Sequence, residues 1–367
     1  MTSCSLFAIN FVTNFRHVLV KEILSSGSSA VLLNGVPSKP FICKRGVRQG
    51  DPLSPLLFVE GADLLQSLVN KAYRDGLLNA PIPIRKDYPI VQYADDTIVI
   101  LPANKNDISV FKEILQVYAE FTGLKINYHK SSMVPINLSS AEVDELAQEF
   151  GCKVESMPFT YLGLPMGTTR PAIKDLAPLM DKVERRLSAT ASFLSYGDRL
   201  VMVNSVLSSL PTYFMLTLVI NPGVIEYIDR ARRHCLWRKK DKEKVHSLAA
   251  WKMICKPKNK GGLGIIDLRV QNTALLLKHL HKFYNNEDTP WVQLIRDKYY
   301  FQSVPHAVVD SGSFWWRGVF ALSDAYSQIT KCEVGNGHSI LFWSDLWLTE
   351  KLEEKFPRLF SHAIDRL

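Results

Sequence analysis

The stretch Ile90-Val91-Gln92-Tyr93-Ala94-Asp95-Asp96-Thr97-Ile98-Val99-Ile100-Leu101 places two adjacent carboxylates in the middle of an apolar, β-branched run. Such residues fit a pleated, half-buried surface, so the two halves predict strands and the acids predict the turn between them. Carboxylates buried without partners are strongly disfavoured, and a hairpin tip solves this by presenting both to a divalent cation. Mg²⁺ takes hard oxygen donors and shares substrate phosphates, and paired ions stabilise both the attacking and the leaving oxygen of a phosphoryl displacement. The plainer reading is a solvated tip, because an Asp-Asp pair alone carries little specificity. The flanks decide between the two.

Upstream, Arg45-Gly46-Val47-Arg48-Gln49-Gly50-Asp51-Pro52-Leu53-Ser54-Pro55 combines cations suited to phosphates with a glycine beside Gln49 that lets backbone approach a ligand. Downstream, Gly123-Leu124-Lys125-Ile126-Asn127-Tyr128-His129-Lys130-Ser131 supplies basic groups. Tyr161-Leu162-Gly163-Leu164-Pro165-Met166-Gly167 then gives a glycine-punctuated apolar turn. Each segment alone also reads as an ordinary loop.

Around these segments the pattern predicts helix, hairpin, helix, hairpin, helix and strand, followed by a mostly helical second half. Phe15 to Leu24 is apolar at helical spacing, and Asn34-Gly35 between two apolar runs is a type I′ hairpin signal. Pro52 to Ala72 predicts a buried helix. Ile108, Phe111, Ile114, Leu115, Tyr118 and Phe121 follow the 3.6-residue period, with Gly123 as the stop. The apolar run from Val201 to Ile225 is too polar for a membrane span and predicts a buried helix broken near Pro211.

With 367 residues, 47% hydrophobic and 22% charged, the chain is an ordinary globular protein of one or two domains. Its net charge of +8 favours an anionic partner. The six cysteines are scattered without a CxxC pair, so neither a zinc site nor a disulfide framework is supported.

Taken together and in this order, the segments resemble the motif series of reverse transcriptases. RQGDPLSP resembles motif B, YADD the metal-binding motif C, GLKIN with KS motif D, and YLGLPMG motif E, the primer grip. The segments after them, Leu207 to Pro211, Ile228 to Arg233, Cys255 to Lys258 with Gly261 to Gly264, and Phe342 to Asp345, are similar to those of plant non-LTR (LINE-type) retrotransposons. The resemblance runs from about Phe15 to about Phe356.

It implies an α+β fold, a right-hand polymerase with partial palm and fingers at 1–170. A helical, basic, thumb-like region at 171–260 and a helical C-terminal extension at 261–367 would follow. The implied reaction is RNA-directed DNA synthesis with Mg²⁺ or Mn²⁺, on an RNA template and DNA primer with deoxynucleoside triphosphates. Asp95 would ligate the metals and Asp96 support the site, while Lys130 would donate a proton to the departing pyrophosphate. Arg48, Gln49, Gly50, Ser54 and Tyr93 would line the nucleotide and template pocket, and Tyr161, Leu162 and Gly163 would hold the primer.

The family's first catalytic aspartate sits on a strand ahead of motif B, and Met1 to Gly35 holds no aspartate, Glu22 being its one acid. The expectation is therefore an N-terminally truncated chain, a pseudoenzyme when taken alone. The alternatives are a non-catalytic nucleic-acid-binding remnant and a group II intron maturase relative, which shares YADD. Twelve Lys and Arg between Arg230 and Lys260, with Trp237 and Trp251 interleaved, read as a phosphate track or as a solvated basic face. Arg238-Lys239-Lys240 resembles a nuclear localisation signal, so the expected compartment is intracellular, with the nucleus one option. The late aromatics Phe314-Trp315-Trp316 read as core before they read as a base-stacking platform.

Overall fold

A computed structural model describes residues 21–22, 25–42, 50–82, 87–190, 194–237, 247–300, 312–335, 337 and 340–363. The expected helix from Phe15 to Leu24 falls almost wholly outside the described residues, as do Arg45, Arg48 and Gln49. The chain divides into two compact units, Met1–Glu155 and Ser156–Leu367.

In the first unit the Asn34-Gly35 signal does form a hairpin. Strands β2 (Leu32–Leu33) and β3 (Val36–Pro37) pair across it, and β1 (Ser28–Ser29) pairs with β4 (Phe41–Ile42). Both tip residues take positive φ, 50° at Asn34 and 83° at Gly35, as a type I′ turn requires. Helix α1 (Leu53–Arg74) follows, and Leu65, Val69 and Ala72 form its buried stripe. The expectation of a helix buried along its length is corrected. Leu56 and Val59 in its first half stay 63% exposed, because the core it joins meets only the half after Leu65.

Helix α2 (Lys105–Thr122) is capped at both ends, by the Asn104 side chain accepting from the Asp107 amide and by Gly123 at φ 75°. It buries Ile108, Phe111, Leu115 and Tyr118, the predicted face. Helix α3 (Ser140–Phe150) carries a Ser139/Glu142 capping box and rests on α2 through Phe111 stacked on Phe150. A short parallel pair, β7 (Ser132–Met133) with β8 (Lys153–Val154), flanks it. Between α1 and α2 runs the hairpin of β5 (Ile90–Tyr93) and β6 (Asp96–Val99), whose Ile90 and Val99 pack on the shared core.

Two buried polar groups fix the connection that delivers β5. The Asn70 amide oxygen accepts from the Tyr88 backbone N–H at 2.8 Å, and its amino group donates to Asp87 at 2.8 Å. Asp107, with no exposed surface, accepts from the Asn79 backbone N–H at 2.7 Å and from the side chains of Asn79 and Asn104. Burial pushes the Asp107 carboxyl up, but the Asn79 and Asn104 donors outweigh it and hold it below the usual carboxylate value.

A depressed folded pKa gives stability above the unfolded value that is lost as pH falls through the folded one. Asp107→Ala, which leaves the Asn79 donors unsatisfied, is expected to destabilise this unit by about 1–3 kcal/mol. Loss of hydrogen-exchange protection at the Asn79 amide would read it, and Asp107→Asn should flatten the acid limb of that protection. Unchanged protection in both variants would refute the assignment.

The second unit opens with the hairpin of β9 (Phe159–Tyr161) and β10 (Leu164–Met166). Helix α4 (Ala177–Thr190) and helix α5 (Pro222–Trp237) then enclose a core of Leu179, Val183, Val203, Leu207, Ile228 and Leu236. The apolar run near Pro211 breaks as predicted. Tyr196–Val201 passes into a π-turn at Met202–Leu207, Ser208 donates back to the Val203 carbonyl, and a new turn begins at Thr212. No helix among the described residues is long and apolar enough to cross a membrane.

Helix α6 (Leu268–Tyr284), helix α7 (Pro290–Tyr299) and helix α8 (Phe314–Phe320) build a second core around Leu280, Phe283, Tyr300 and Trp316. Trp316 is 1% exposed, so that part of the aromatic cluster is core. Buried Asn272 joins the two cores, accepting from the Ile220 amide and donating to the Met215 and Leu218 carbonyls.

Candidate functional site

The β5–β6 register pairs Ile90 with Val99, Val91 with Ile98, Gln92 with Thr97 and Tyr93 with Asp96, which leaves Ala94 and Asp95 as the whole turn. Ala94 holds φ at 50° while Asp95 does not take a positive φ, so the first central position of this turn has the backbone that favours glycine. A non-glycine residue there is strained, and both acids beside it stand exposed.

Alternation along β5 turns Ile90 and Gln92 inward, with the Gln92 amide donating to the Ala62 carbonyl of α1 at 3.3 Å. Val91 and Tyr93 face outward, 55% and 63% exposed. Asp95 and Asp96 are both exposed, and neither has a cationic partner among the described residues. The hairpin thus brings Tyr93, Asp95 and Asp96 together at one open tip, anchored by packing at the other end.

Gly50 takes φ 88°, and Asp51 behind it accepts from the Leu53 N–H at 2.8 Å, starting α1 with Ser54 in its first turn. Lys130 lies in an exposed turn closed by its own N–H on the Asn127 carbonyl at 3.0 Å. No hydrogen bond or ion pair among the described residues joins it to Asp95 or Asp96.

In the second unit, Tyr161 pairs with Leu164 across a turn of Leu162 at φ 50° and Gly163 at φ 79°, again type I′. The Tyr213 hydroxyl donates to the Leu162 carbonyl at 2.9 Å and pins that turn. Sequence reasoning does not give Tyr213 this partner. It also misses Asn70 and Asp107, whose signal is two polar side chains placed on otherwise apolar helix faces.

The donor set suits a hard divalent ion in kind, since two carboxylates with free oxygens are what Mg²⁺ selects. In number it is partial. No group of three or more His, Cys, Asp or Glu side chains among the described residues could hold a metal ion.

The basic stretch needs one correction. Arg232 is fully buried, its guanidinium donating to Asp229 at 2.6 Å, to the Ser208 hydroxyl at 2.9 Å and to the Ile266 carbonyl at 2.7 Å. It also lies over the Trp251 ring, 5.2 Å from the centroid. Arg233 pairs with Glu226. Arg232 and Trp251 therefore hold the fold together and belong to no phosphate track.

Residues 3–166 match the family described as Reverse transcriptase (RNA-dependent DNA polymerase). Over 179 residues the chain is 28% identical to an Arabidopsis thaliana protein named "Putative ribonuclease H protein", covering 47% of this chain and 29% of that one. Over 288 residues it is 27% identical to the uncharacterized 149 kDa protein of transposon TX1 from Xenopus laevis, 76% of this chain and 21% of that one. Over 283 residues it is 22% identical to the retrovirus-related Pol polyprotein from the type-1 retrotransposable element R2 of Popillia japonica, 74% of this chain and 44% of that one. The chain thus spans less than half the length of each of these relatives.

Proposed function

We propose, from the premise that residues 3–166 belong to the reverse transcriptase family in its non-LTR retrotransposon form, that the Tyr93–Asp96 hairpin is the metal-holding half of a polymerase palm. The observation that carries this reading is the open tip itself, with two uncompensated carboxylates at the end of a hairpin anchored by its core-facing residues. Asp95 and Asp96 would hold Mg²⁺ or Mn²⁺, which when bound supplies charge stabilisation for nucleotidyl transfer.

The chain's own groups would do the rest. Tyr93, outward on the same face as its cross-strand partner Asp96, would bear on the primer terminus. Gly50, whose positive φ brings backbone close, would line the nucleotide pocket with Arg48, Gln49 and Ser54. Lys130 would act as proton donor to the leaving group. The pinned Tyr161–Gly163 turn would hold the primer backbone, and its Tyr213 tether favours that role because a phosphate contact needs a turn that does not give way.

The substrates would be an RNA template, a DNA primer and deoxynucleoside triphosphates. The right-hand arrangement is part of the same proposal, with a thumb-like 171–260 and an extension at 261–367. Two cores lie within these segments, one around Leu207 and Ile228 that also takes in Ile265 and Leu268, and one around Phe283 and Trp316.

Photo-crosslinking tests the reading without requiring catalysis. An RNA template annealed to a DNA primer with a photoreactive 3′ end, irradiated with the 367-residue chain, should label Tyr93–Asp96, with the upstream primer backbone labelling Tyr161–Gly163. Labelling confined to other segments would refute it.

A further inference from the structure

Four lysines, Lys252, Lys256, Lys258 and Lys260, fall within nine residues, and positions 247–266 contain no acidic residue. All four are exposed, and none forms an ion pair among the described residues. The next acid, Asp267, is occupied as the N-cap of α6, accepting from the Arg269 and Val270 amides.

The loop that carries them is not a slack surface segment. Lys258–Lys260 make one tight turn that ends on Gly261 at φ 79°. The chain then doubles back, with the Gly262 N–H on the Pro257 carbonyl at 3.2 Å, Leu263 on Ile254 at 2.9 Å and Gly264 on Lys256 at 3.0 Å. A Cβ at position 262 would sit 1.9 Å from the Lys256 carbonyl oxygen, so the closure requires glycine there. Ile254 and Ile265 on either side are buried in the core, which fixes both ends of the loop. The Lys258 stem rests against Gly264. Cations carried within nine residues of one fixed loop without counter-charge raise the local positive potential, and a polyanion bound there is neutralised while releasing its own counterions. Because the loop is already fixed, binding pays little ordering entropy.

We propose that this glycine-pinned lysine turn binds the sugar–phosphate backbone of a nucleic-acid duplex by charge, without reading sequence. The proposal rests on the nucleic-acid reading above and assigns it a contact outside the polymerase motifs. Lysine ammonium groups are compact point charges and not planar forks, which suits a backbone whose phosphates need only be neutralised.

The test is fluorescence anisotropy of a labelled RNA–DNA duplex against the 367-residue chain over a salt series. Substituting Lys252, Lys256, Lys258 and Lys260 together by glutamine should lower the slope of log affinity against log salt by about one for each lysine that contacts phosphate. A control carrying the same change at the exposed Lys174, Lys182, Lys278 and Lys331 should keep the wild-type slope. Gly262→Ala keeps every charge but displaces the turn, and it should lose part of the slope while retaining wild-type tryptophan dichroism.

An unchanged slope in the lysine variant, or an equal loss in the control, overturns the proposal alone. Absence of any duplex binding by the wild-type chain overturns this proposal and the polymerase reading together. Binding to phosphatidylserine vesicles in place of the duplex, lost in the lysine variant, would assign the turn to a membrane surface and overturn it too.

Discussion

Any primer extension by the 367-residue polypeptide is expected to fall to background in its Asp95→Ala, Asp96→Ala double variant, with either Mg²⁺ or Mn²⁺. Two adjacent acids at one hairpin tip supply part of a two-metal donor set, so losing both should remove the metal-holding half of the site. In any form of the protein that extends a primer, the single change Asp95→Ala should lower the rate by at least about 10³-fold. That corresponds to about 4 kcal/mol of transition-state stabilisation, the scale of a group acting on developing charge. Extension by residues 1–367 alone that disappears in the double variant would mean another acid of this chain completes the site. Extension that persists in the double variant would remove the β5–β6 tip from the chemistry altogether.

Arg232→Met is expected to reduce the unfolding free energy of the second unit by roughly 3–5 kcal/mol, because it strands the buried Asp229 carboxylate and the Ile266 carbonyl. Burial raises the Asp229 carboxyl above its usual range even with Arg232 beside it, and burial lowers the Arg232 guanidinium. The pair is therefore held against desolvation on both sides, and removing one member is worse than removing both. Arg232→Met combined with Asp229→Leu should recover most of the loss. All seven tryptophans lie beyond residue 155, so urea unfolding followed by tryptophan fluorescence reports this unit alone. A single variant within about 1 kcal/mol of wild type would show the network to be dispensable.

Much of the candidate site is legible in the amino-acid sequence, because its signals are local. Two acids flanked by β-branched residues can form little except a hairpin with a charged tip, and Asn34-Gly35 and Gly163 announce turns by the φ values they tolerate. The face of α2 follows from 3.6-residue spacing, and its ends from Asn104 and Gly123. The capping box at Ser139 and Glu142 is equally local, yet α3 is missing from the order of elements read from the sequence, since the apolar positions of that helix are few.

What the sequence by itself determined about this protein is thus the order of its motifs, the position of its turns and the exposure of Asp95 and Asp96. Tertiary structure alone decided which charges are available to a partner. Arg232 and Lys258 read alike in the basic stretch, but one is sealed over Trp251 against Asp229, Ser208 and Ile266 and the other stands on an open turn. It also decided that α1 is buried over half its length, and that Asn79 and Asp107 fix the loop feeding the hairpin across 28 residues of chain. Hairpins and caps are set by neighbours within a few positions, whereas burial and ion pairing depend on groups that meet only after the chain has folded.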